Sequence, residues 1–362
     1  MPITPSVLFG PNNHSLSTVE WQDADSNLIK KYSDLLCRFW GFSRIDRIQQ
    51  VKAWERMSHN FRVSGILDGR VCTVLFRKQI QLNQWDALRS LTILFSQLFS
   101  RGVPCPRILE TQDHEIAIEQ DGFLFQVFAF YDGQYFHGSE VELEETAKAI
   151  ARLHEALKDF SPPGFAGFGI LKPWDAIGWA QAKEYLKQKQ APFDKRIQTD
   201  FPLIEQAINA CRGKEFSGSR QIIHADLHPQ NILFLNDTCQ AILDFEGLRV
   251  DYLTRDIGNA CHRFVRQSIV FSGRTWHEVL PHLVSVFLHA YESVHVLSDS
   301  ELLELAHGMR DELLRKLYAK LVPYVQTGDD RLLNGGEWEK MIMLLQEVPC
   351  MEQAIHAYLK TR

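Results

Sequence analysis

Four polar residues in the middle of the chain have the types and spacing of a catalytic group. His224, Asp226 and Asn231 lie in one short stretch, and Asp244 follows thirteen positions after Asn231. A carboxylate can accept the proton of a hydroxyl group, and amide and carboxylate oxygens are the ligands that Mg²⁺ prefers. Phosphoryl transfer needs these groups above all, because the protein mainly places a hydroxyl, metal ions and a nucleoside triphosphate. The pattern therefore predicts ATP-dependent phosphoryl transfer.

The order of these residues assigns a role to each. It is the order of a kinase catalytic loop, in which the aspartate accepts the hydroxyl proton and the asparagine holds a metal. We predict Asp226 as the base, and Asn231 and Asp244 as metal ligands. His224 completes the catalytic group, where a histidine more often makes structural hydrogen bonds than it moves a proton. Each motif alone would be weak, but the two in this order are specific.

Short apolar runs flank these residues and would position them. Residues 221–223 and 232–235 are predicted as strands on either side of the loop, and a turn then leads into a third run over residues 240–243. Two such strands would place Asn231 and Asp244 at neighbouring edges. One carboxylate and one amide from adjacent loops are sufficient protein ligands for Mg²⁺, which keeps waters and phosphates in its shell.

The part of the chain before the loop is predicted to form a nucleotide-binding lobe. Residues 50–55, 60–67 and 70–77 are predicted as strands, and an Asp-Gly turn joins the last two. Residues 85–101 have the apolar spacing of a helix, which ends at Gly102. Further strands are expected up to residue 130. An antiparallel sheet with one helix packed on it is the expected result.

The stretches HADLHPQN and LDFE carry a family resemblance. They resemble the aminoglycoside phosphotransferase and choline kinase superfamily, small-molecule kinases whose fold is related to that of protein kinases. That superfamily commonly has Gly or Asn where protein kinases have Arg, and Ala225 is closer to that version. An Asp-Ile-Gly-Asn run begins at Asp256 with choline-kinase spacing. The resemblance is specific over residues 221–259 and looser over roughly 50–320. It implies a protein-kinase-like, bilobal α+β fold, with a small antiparallel-sheet nucleotide lobe and a larger, mainly helical lobe.

The same resemblance implies roles for further residues. Glu246 would help to bind a second metal ion, and Asp256 would brace the catalytic loop from a helix behind it. The backbone at the connection between the lobes would hydrogen-bond adenine, over Phe128, Ala129 and Phe130. A core strand of the small lobe is the alternative interpretation of this segment, and the two are compatible. The implied cofactors are ATP and Mg²⁺.

The phosphate-binding part of the nucleotide lobe departs from the protein-kinase pattern. A lysine is expected on the third strand, but Leu75 or Phe76 falls near its position, followed by Arg77 and Lys78. The helix that follows has no glutamate at the natural site, and the first hairpin has no run of glycines. Either Arg77 or Lys78 binds phosphate from a shifted position, or nucleotide binding is weak or unusual. A shift of one residue would turn every side chain of the strand to the other face.

The acceptor is predicted only by class, as a hydroxyl of a small polar metabolite such as an amino alcohol, a sugar or an aminoglycoside-like compound. Aromatic residues before the catalytic loop could form walls that hold a cation. These residues are Phe165, Phe168, Trp174 and Trp179. Arg263 and Arg266 would repel a cation if they faced the pocket, or they lie on a solvated helix face. His154 is interpreted as a packing residue.

Two other functions fit the same motifs. A protein Ser/Thr kinase of the bacterial stress-response type would share them. The missing lysine and glutamate would suit a nucleotide-binding pseudokinase that is catalytically impaired. The intact catalytic and metal motifs argue against the pseudokinase, because a scaffold would not need those side chains.

Composition indicates a cytoplasmic enzyme. The chain has 362 residues, 45% of them hydrophobic, and a net charge of −6. The absence of a long basic run argues against nucleic acid or an anionic membrane as partner. No apolar run has the length of a membrane span, and the first residues lack the features of a signal peptide. The seven cysteines are scattered, which suggests reduced thiols. We predict a monomer or homodimer with a small-molecule substrate.

Three regions are predicted along the chain. Residues 1–45 form an N-terminal helical extension, with one helix over residues 26–40. Residues 46–132 form the nucleotide-binding lobe. Residues 133–362 form the helical lobe, which contains the catalytic loop over residues 221–247.

Overall fold

A computed structural model describes most of the chain, namely residues 21–51, 58–79, 85–160, 173–189, 192–329, 333 and 337–362. A sheet lobe is followed by a mainly helical lobe, as predicted. Some predicted features lie outside the described residues. They are residues 1–20 of the predicted N-terminal extension, the end of the strand predicted over residues 50–55, and the side chains of Phe165 and Phe168.

A seven-stranded antiparallel sheet forms the first lobe. Its strands are β1 (Trp21–Asp23), β2 (Phe42–Val51), β3 (Ser58–Leu67), β4 (Arg70–Gln79), β5 (Ile108–Leu109), β6 (Ile118–Gln120) and β7 (Phe123–Ala129). The order is β1-β2-β3-β4-β7-β5, and β6 also pairs with β7. The predicted hairpin between β3 and β4 is confirmed. It turns at Asp68 and Gly69, whose φ angles of 50° and 72° are positive, as in the turns that Asp-Gly favours.

The predicted N-terminal helix packs on the outer face of this sheet. It consists of α1 (Ser26–Leu35) and a π-helical turn over Leu36–Trp40. Asp25 caps its first turn by accepting two backbone hydrogen bonds of 2.9 Å. Tyr32 packs edge-on against three phenylalanine rings of the sheet, with centroids 4.8, 5.2 and 6.0 Å away. The helix and the sheet therefore share one hydrophobic core, and the predicted boundary after residue 45 falls inside β2.

The predicted single helix of this lobe is also present. α2 (Trp85–Ser100) packs on the core that extends into the second lobe, through buried residues such as Leu94 and Leu98. Its Phe95 ring meets that of Phe245 edge-on at 5.0 Å. The chain leaves the helix at Gly102, whose φ of 72° is the left-handed conformation that glycine adopts readily. α2 therefore contacts the LDFE stretch, which we call the metal motif, directly.

The second lobe is mainly helical. Its helices are α3 (Glu140–Lys158), α4 (Ala176–Lys187), α5 (Pro192–Cys211), α6 (Leu253–Ser272), α7 (Trp276–Glu292), α8 (Asp299–Thr327) and α9 (Glu337–Thr361). Capping boxes begin α3, α7 and α8.

Helices α6 and α8 cross closely through two glycines. A Cβ added to Gly258 would lie 2.5 Å from a backbone oxygen of α8, and one added to Gly308 would lie 2.9 Å from a Cα of α6. This crossing fixes α6 behind the catalytic loop.

Two small antiparallel sheets carry the predicted catalytic segment. Their strands are β8 (Gln134–Tyr135), β9 (Arg220–Ile223), β10 (Ile232–Leu235), β11 (Thr238–Ile242) and β12 (Arg249–Tyr252). One sheet has the order β11-β10-β8, and the other pairs β12 with β9. The hairpin between β10 and β11 turns at Asn236 and Asp237, with φ angles of 49° and 59°. The predicted strands around the loop are therefore confirmed.

All seven cysteines are free thiols, in agreement with the prediction. Burial raises the pKa of Cys105 and Cys211 to about 12, so these thiols are poor nucleophiles at neutral pH. Within the described residues, no helix has both the length and the hydrophobicity needed to cross a membrane.

Candidate active site

A buried aspartate holds the catalytic loop between β9 and β10. Asp256, in the first turn of α6, accepts hydrogen bonds from the backbone amides of His224 at 2.9 Å and Ala225 at 3.0 Å. Ala225 has a φ of 67°, a left-handed conformation that residues other than glycine rarely adopt. The two bonds to Asp256 stabilise this strained backbone just before Asp226. The bracing role that the resemblance implied for Asp256 agrees with this geometry.

Asp256 is itself supported by a buried histidine. His154 Nε2 lies 3.2 Å from the Asp256 carboxylate, and its Nδ1 lies 2.9 Å from the Tyr291 hydroxyl. Burial opposes ionisation of Asp256, but the hydrogen bond and charge of His154, with the charges of His224 and Arg249, hold the pKa of this carboxyl below its usual value. His154 is fully buried, as predicted for a packing residue. It also positions Asp256, which its place in the sequence did not indicate.

Replacing Asp256 by asparagine should loosen the catalytic loop. An amide offers one acceptor oxygen instead of two, so at least one buried partner loses its hydrogen bond. We expect Asp256→Asn to lower the free energy of unfolding by about 2–4 kcal/mol and to reduce kcat more than it raises KM for ATP. Chemical denaturation and steady-state kinetics measure both effects. The exposed Asp237→Asn is the control, and equal stability of the two variants would contradict the bracing role.

Backbone contacts join the catalytic and metal motifs. The amide of Leu243 donates to the carbonyl of Asn231 at 2.7 Å, so Asn231 and Asp244 lie side by side. His224 Nε2 lies 2.9 Å from the Leu243 carbonyl, and the His224 side chain is fully buried. This placement favours a structural role for His224 over proton transfer. Asn231 Nδ2 donates to the Asp226 carbonyl at 2.9 Å. This bond leaves the amide oxygen Oδ1 available for a metal ion.

Asp244 has the features expected of a metal ligand. Its φ and ψ are 60° and 63°, which is strained for an aspartate, and its carboxylate lines the cleft with no hydrogen-bond partner among the described residues. Glu246 lines the same cleft. Burial raises the pKa of Glu246, the positive charge of Arg77 lowers this pKa in part, and the negative charge of Asp244 raises it further. These two carboxylates and the Asn231 amide suit Mg²⁺, which also takes phosphate oxygens and water. Among the described residues, no group of three or more His, Cys, Asp or Glu is arranged to hold a metal by itself.

The cleft between the lobes has room for a nucleotide, with a volume of about 950 Å³. Phe128, Ala129 and Phe130, predicted to contact adenine, line it. Phe128 and Ala129 end β7, so the segment is both a sheet strand and the connection between the lobes. The Ala129 amide already donates to the Arg107 carbonyl at 2.8 Å. An adenine ring would therefore need other backbone groups of this segment.

The alternation of β4 separates Arg77 from Lys78. Arg77 faces the cleft, where Nη1 lies 3.3 Å from Glu246 Oε1 and Nε donates to Asn60 at 3.0 Å. Neighbouring residues of a strand point to opposite faces, so Lys78 faces away. Its Nζ lies 3.6 Å from the centroid of the Phe123 ring and outside the cleft. The prediction of Lys78 as a phosphate ligand is therefore corrected, and Arg77 remains the candidate.

Removing the Arg77 guanidinium should weaken nucleotide binding. A hydrogen bond to a charged group is worth about 1.5–3 kcal/mol, so we expect Arg77→Met to raise the Kd for MgAMP-PNP by about 10- to 100-fold. Isothermal calorimetry measures this directly. Lys78→Met is the matched control, since it removes a cation from the next position on the opposite face. If the two variants bound MgAMP-PNP equally, Arg77 would not be the phosphate contact.

Two further expectations for the acceptor region are corrected. Arg263 and Arg266 do not lie on a solvated helix face: they are only 7% and 0% exposed on α6. Arg266 Nε donates to Glu347 on α9 at 2.9 Å. Trp179 is 3% exposed and packs against the rings of Phe201 and Tyr318, so it belongs to the core and cannot form a pocket wall.

Asp226 lies among positive groups contributed by several elements. His228 Nε2 is 3.6 Å from one carboxylate oxygen, and Lys316 Nζ of α8 is 3.8 Å from the other. Burial would raise the pKa of Asp226, but the hydrogen bond and charge of His228, with the charges of Lys316 and Arg263, hold the pKa well below its usual range. Asp226 is therefore ionised at neutral pH and can accept a hydrogen bond from a hydroxyl. Sequence reasoning missed Lys316, for which the catalytic motif gives no local signal.

The two lobes, the cleft between them and the joined motifs define the class of protein. This is the architecture of protein-kinase-like phosphotransferases, as the resemblance implied. A family model described as the phosphotransferase enzyme family matches residues 84–295, more than half of the chain. The chain belongs to this family, and the prediction of a kinase is confirmed.

Individual known proteins are similar over most of the chain. The homoserine kinase of Rhizobium rhizogenes (strain K84) is 26% identical over 278 residues, which are 74% of this chain and 78% of that protein. Spectinomycin phosphotransferase, solved with ADP and spectinomycin, has a TM-score of 0.61 at 11% identity, covering 88% of this chain and 98% of that one. An aminoglycoside phosphotransferase from Alicyclobacillus acidocaldarius has a TM-score of 0.62 at 14% identity, covering 88% and 94%. The structural likenesses confirm the predicted fold. The cytoplasmic location and the oligomeric state stay predictions.

Proposed function

We propose that this protein transfers the γ-phosphate of ATP to a hydroxyl group of a small polar metabolite. The observation that carries the proposal is the meeting of Asp226, Asn231 and Asp244 in one cleft, through the 2.7 Å backbone bond between the two motifs. The name of the Rhizobium rhizogenes relative makes homoserine the first acceptor to test.

In this proposal Asp226 orients the acceptor hydroxyl and takes its proton. The hydroxyl oxygen forms a bond to the γ-phosphorus, the bond between that phosphorus and the β–γ bridging oxygen breaks, and ADP leaves with the bridging oxygen. The depressed pKa of Asp226 keeps it ionised before the reaction, so it can accept a hydrogen bond from the hydroxyl until the proton is transferred. Positioning is the main contribution, because the transition state of phosphoryl transfer is loose and needs little covalent work from the protein.

The remaining site residues would hold the triphosphate. Asn231 Oδ1 and the Asp244 carboxylate would ligate Mg²⁺, with Glu246 as a further ligand. A bound magnesium ion neutralises negative charge that develops on the phosphate oxygens. Arg77 would contact the phosphates from β4. Its ion pair with Glu246 holds the guanidinium over the metal motif from the opposite lobe.

An acceptor screen tests the proposal. ADP release is followed by a coupled assay with MgATP and homoserine, amino alcohols, sugars or aminoglycosides, and the product is identified by mass spectrometry. We expect acceptor-dependent ADP release with at least one of these classes, absent from Asp226→Asn. Radiolabelled ATP that labels protein bands but no metabolite would indicate a protein kinase instead. A thermal shift with MgATP and no turnover would indicate a pseudokinase.

A further inference from the structure

A buried arginine of α6, whose charge acts on Asp226, forms no hydrogen bond or ion pair with the residues that the structure describes. Arg263 of α6 is only 7% exposed, and its Nε has no hydrogen-bond partner among the residues that the structure describes. Nor does its guanidinium form an ion pair with any residue that the structure describes. A buried charge without a hydrogen-bonding partner is costly, and burial lowers the pKa of Arg263, although the charges of Asp226 and Glu347 act in the opposite direction. A group of this kind is well prepared to bind an anion.

A buried carboxylate of α9, whose charge also acts on Arg263, already contacts two other residues. Glu347 of α9 accepts a hydrogen bond from Arg266 Nε at 2.9 Å, and His262 Nε2 lies 2.9 Å from its other oxygen. Glu347 is fully buried between these two partners. In the described part of the chain Glu347 forms no hydrogen bond to Arg263, and only its charge acts on that arginine.

Lys316 brings a second positive group to the same region. Its Nζ lies 3.8 Å from Asp226 and 3.5 Å from Glu312, and its side chain is 23% exposed. Glu312 also accepts a hydrogen bond from Arg249 at 2.6 Å, so its negative charge is shared between Arg249 and Lys316. Lys316 and Arg263 therefore bring two positive groups, from α8 and α6, to the region around Asp226.

The charge of Arg263 reaches the catalytic loop. It helps to lower the pKa of Asp226, and, after burial, it also lowers the pKa of His228. Yet Arg263 forms no direct ion pair with Asp226 among the described contacts. An acceptor that lies between them can contact both groups at once.

We infer that the acceptor carries an anionic group, a carboxylate or a phosphate, that binds Arg263 and Lys316 while its hydroxyl lies at Asp226. This inference rests on the proposed function and narrows its acceptor to hydroxylated anions. A guanidinium presents two parallel N–H donors that match the oxygens of a carboxylate or phosphate. A purely cationic acceptor would meet like charge there and bind poorly.

Matched acceptors test this inference. L-Homoserine is compared with its carboxamide, which keeps the hydroxyl and the ammonium group, and glycerol 3-phosphate is compared with glycerol. At saturating MgATP we expect the anionic member of one pair to have a kcat/KM at least about tenfold higher. The pair that shows the preference identifies the anion as carboxylate or phosphate. Equal use of both members in both pairs would overturn the inference.

Variants of Arg263 connect the preference to this side chain. Arg263→Met should raise KM for the anionic acceptor by about tenfold or more, with little change in KM for ATP, and should remove the preference. Arg263→Lys keeps the positive charge and should retain part of the preference for the anionic acceptor. Arg274→Met, at an exposed position after α6, is the matched control. An effect of Arg263→Met on KM for ATP alone would assign Arg263 to the nucleotide and overturn the inference.

Calorimetry separates this inference from the proposed function. Protein saturated with MgAMP-PNP is titrated with L-homoserine and with glycerol 3-phosphate. If an anion binds, Arg263→Met abolishes this binding and the protein shows no turnover, the anion site is supported and phosphoryl transfer is refuted. Turnover of neutral or cationic acceptors alone would keep phosphoryl transfer and refute the anion site. If neither anion binds or is phosphorylated, the inference fails.

Discussion

Asp226→Asn is expected to abolish phosphoryl transfer while the nucleotide still binds. The amide has nearly the shape of the carboxylate, but it cannot take the hydroxyl proton and it loses the charge that faces His228 and Lys316. We expect kcat to fall by about 10²- to 10⁴-fold, the usual contribution of a positioned acid or base. Steady-state kinetics with the acceptor found in the screen measures the loss.

The control for Asp226→Asn is the same substitution at an exposed turn. Asp237 has a φ of 59°, which asparagine tolerates, so Asp237→Asn should keep both fold and activity. Calorimetry with MgAMP-PNP shows whether Asp226→Asn still binds the nucleotide. Near-normal kcat in Asp226→Asn, with an intact nucleotide site, would remove Asp226 from its proposed role.

Asp244→Ala is expected to lower kcat/KM for ATP by about a thousandfold, because a metal ion contributes several kcal/mol to charge stabilisation in the transition state. The carboxylate lines the cleft without a partner among the described residues, so no other protein contact is lost. Loss of this ligand should also raise the Mg²⁺ concentration that gives half-maximal activity. A magnesium titration of activity checks this second effect.

Asp244→Asn separates loss of the metal ligand from loss of the local backbone. At a φ of 60°, asparagine is tolerated better than alanine, so this variant keeps the turn. We expect it to unfold at the same temperature as the wild type and still to require more Mg²⁺. An unchanged magnesium requirement in both variants would contradict the assignment of Asp244 as a ligand.

Local patterns predicted the elements that form from adjacent residues. The Asp-Gly hairpin between β3 and β4, the helix from residue 26 to 40 and the strands around the catalytic loop all follow from neighbouring residue types. The boundary after residue 45 did not coincide with an element end, because β1 pairs with β2 and α1 packs on the sheet through side chains that are distant in sequence. Burial of Trp179 was missed for the same reason, since Phe201 and Tyr318 come from other helices.

The sequence by itself determined the hydroxyl and metal side of the site. Asp226, Asn231 and Asp244 lie together as predicted, because short spacing next to two paired strands is enough to bring them together. Only the tertiary structure decided the phosphate and acceptor sides. Arg77 was selected over Lys78 by the face that β4 turns to the cleft. Lys316 lies 3.8 Å from Asp226, and the charge of Arg263 acts on Asp226, because helices α6 and α8 pack behind the loop. Such long-range packing leaves no signal in the local sequence.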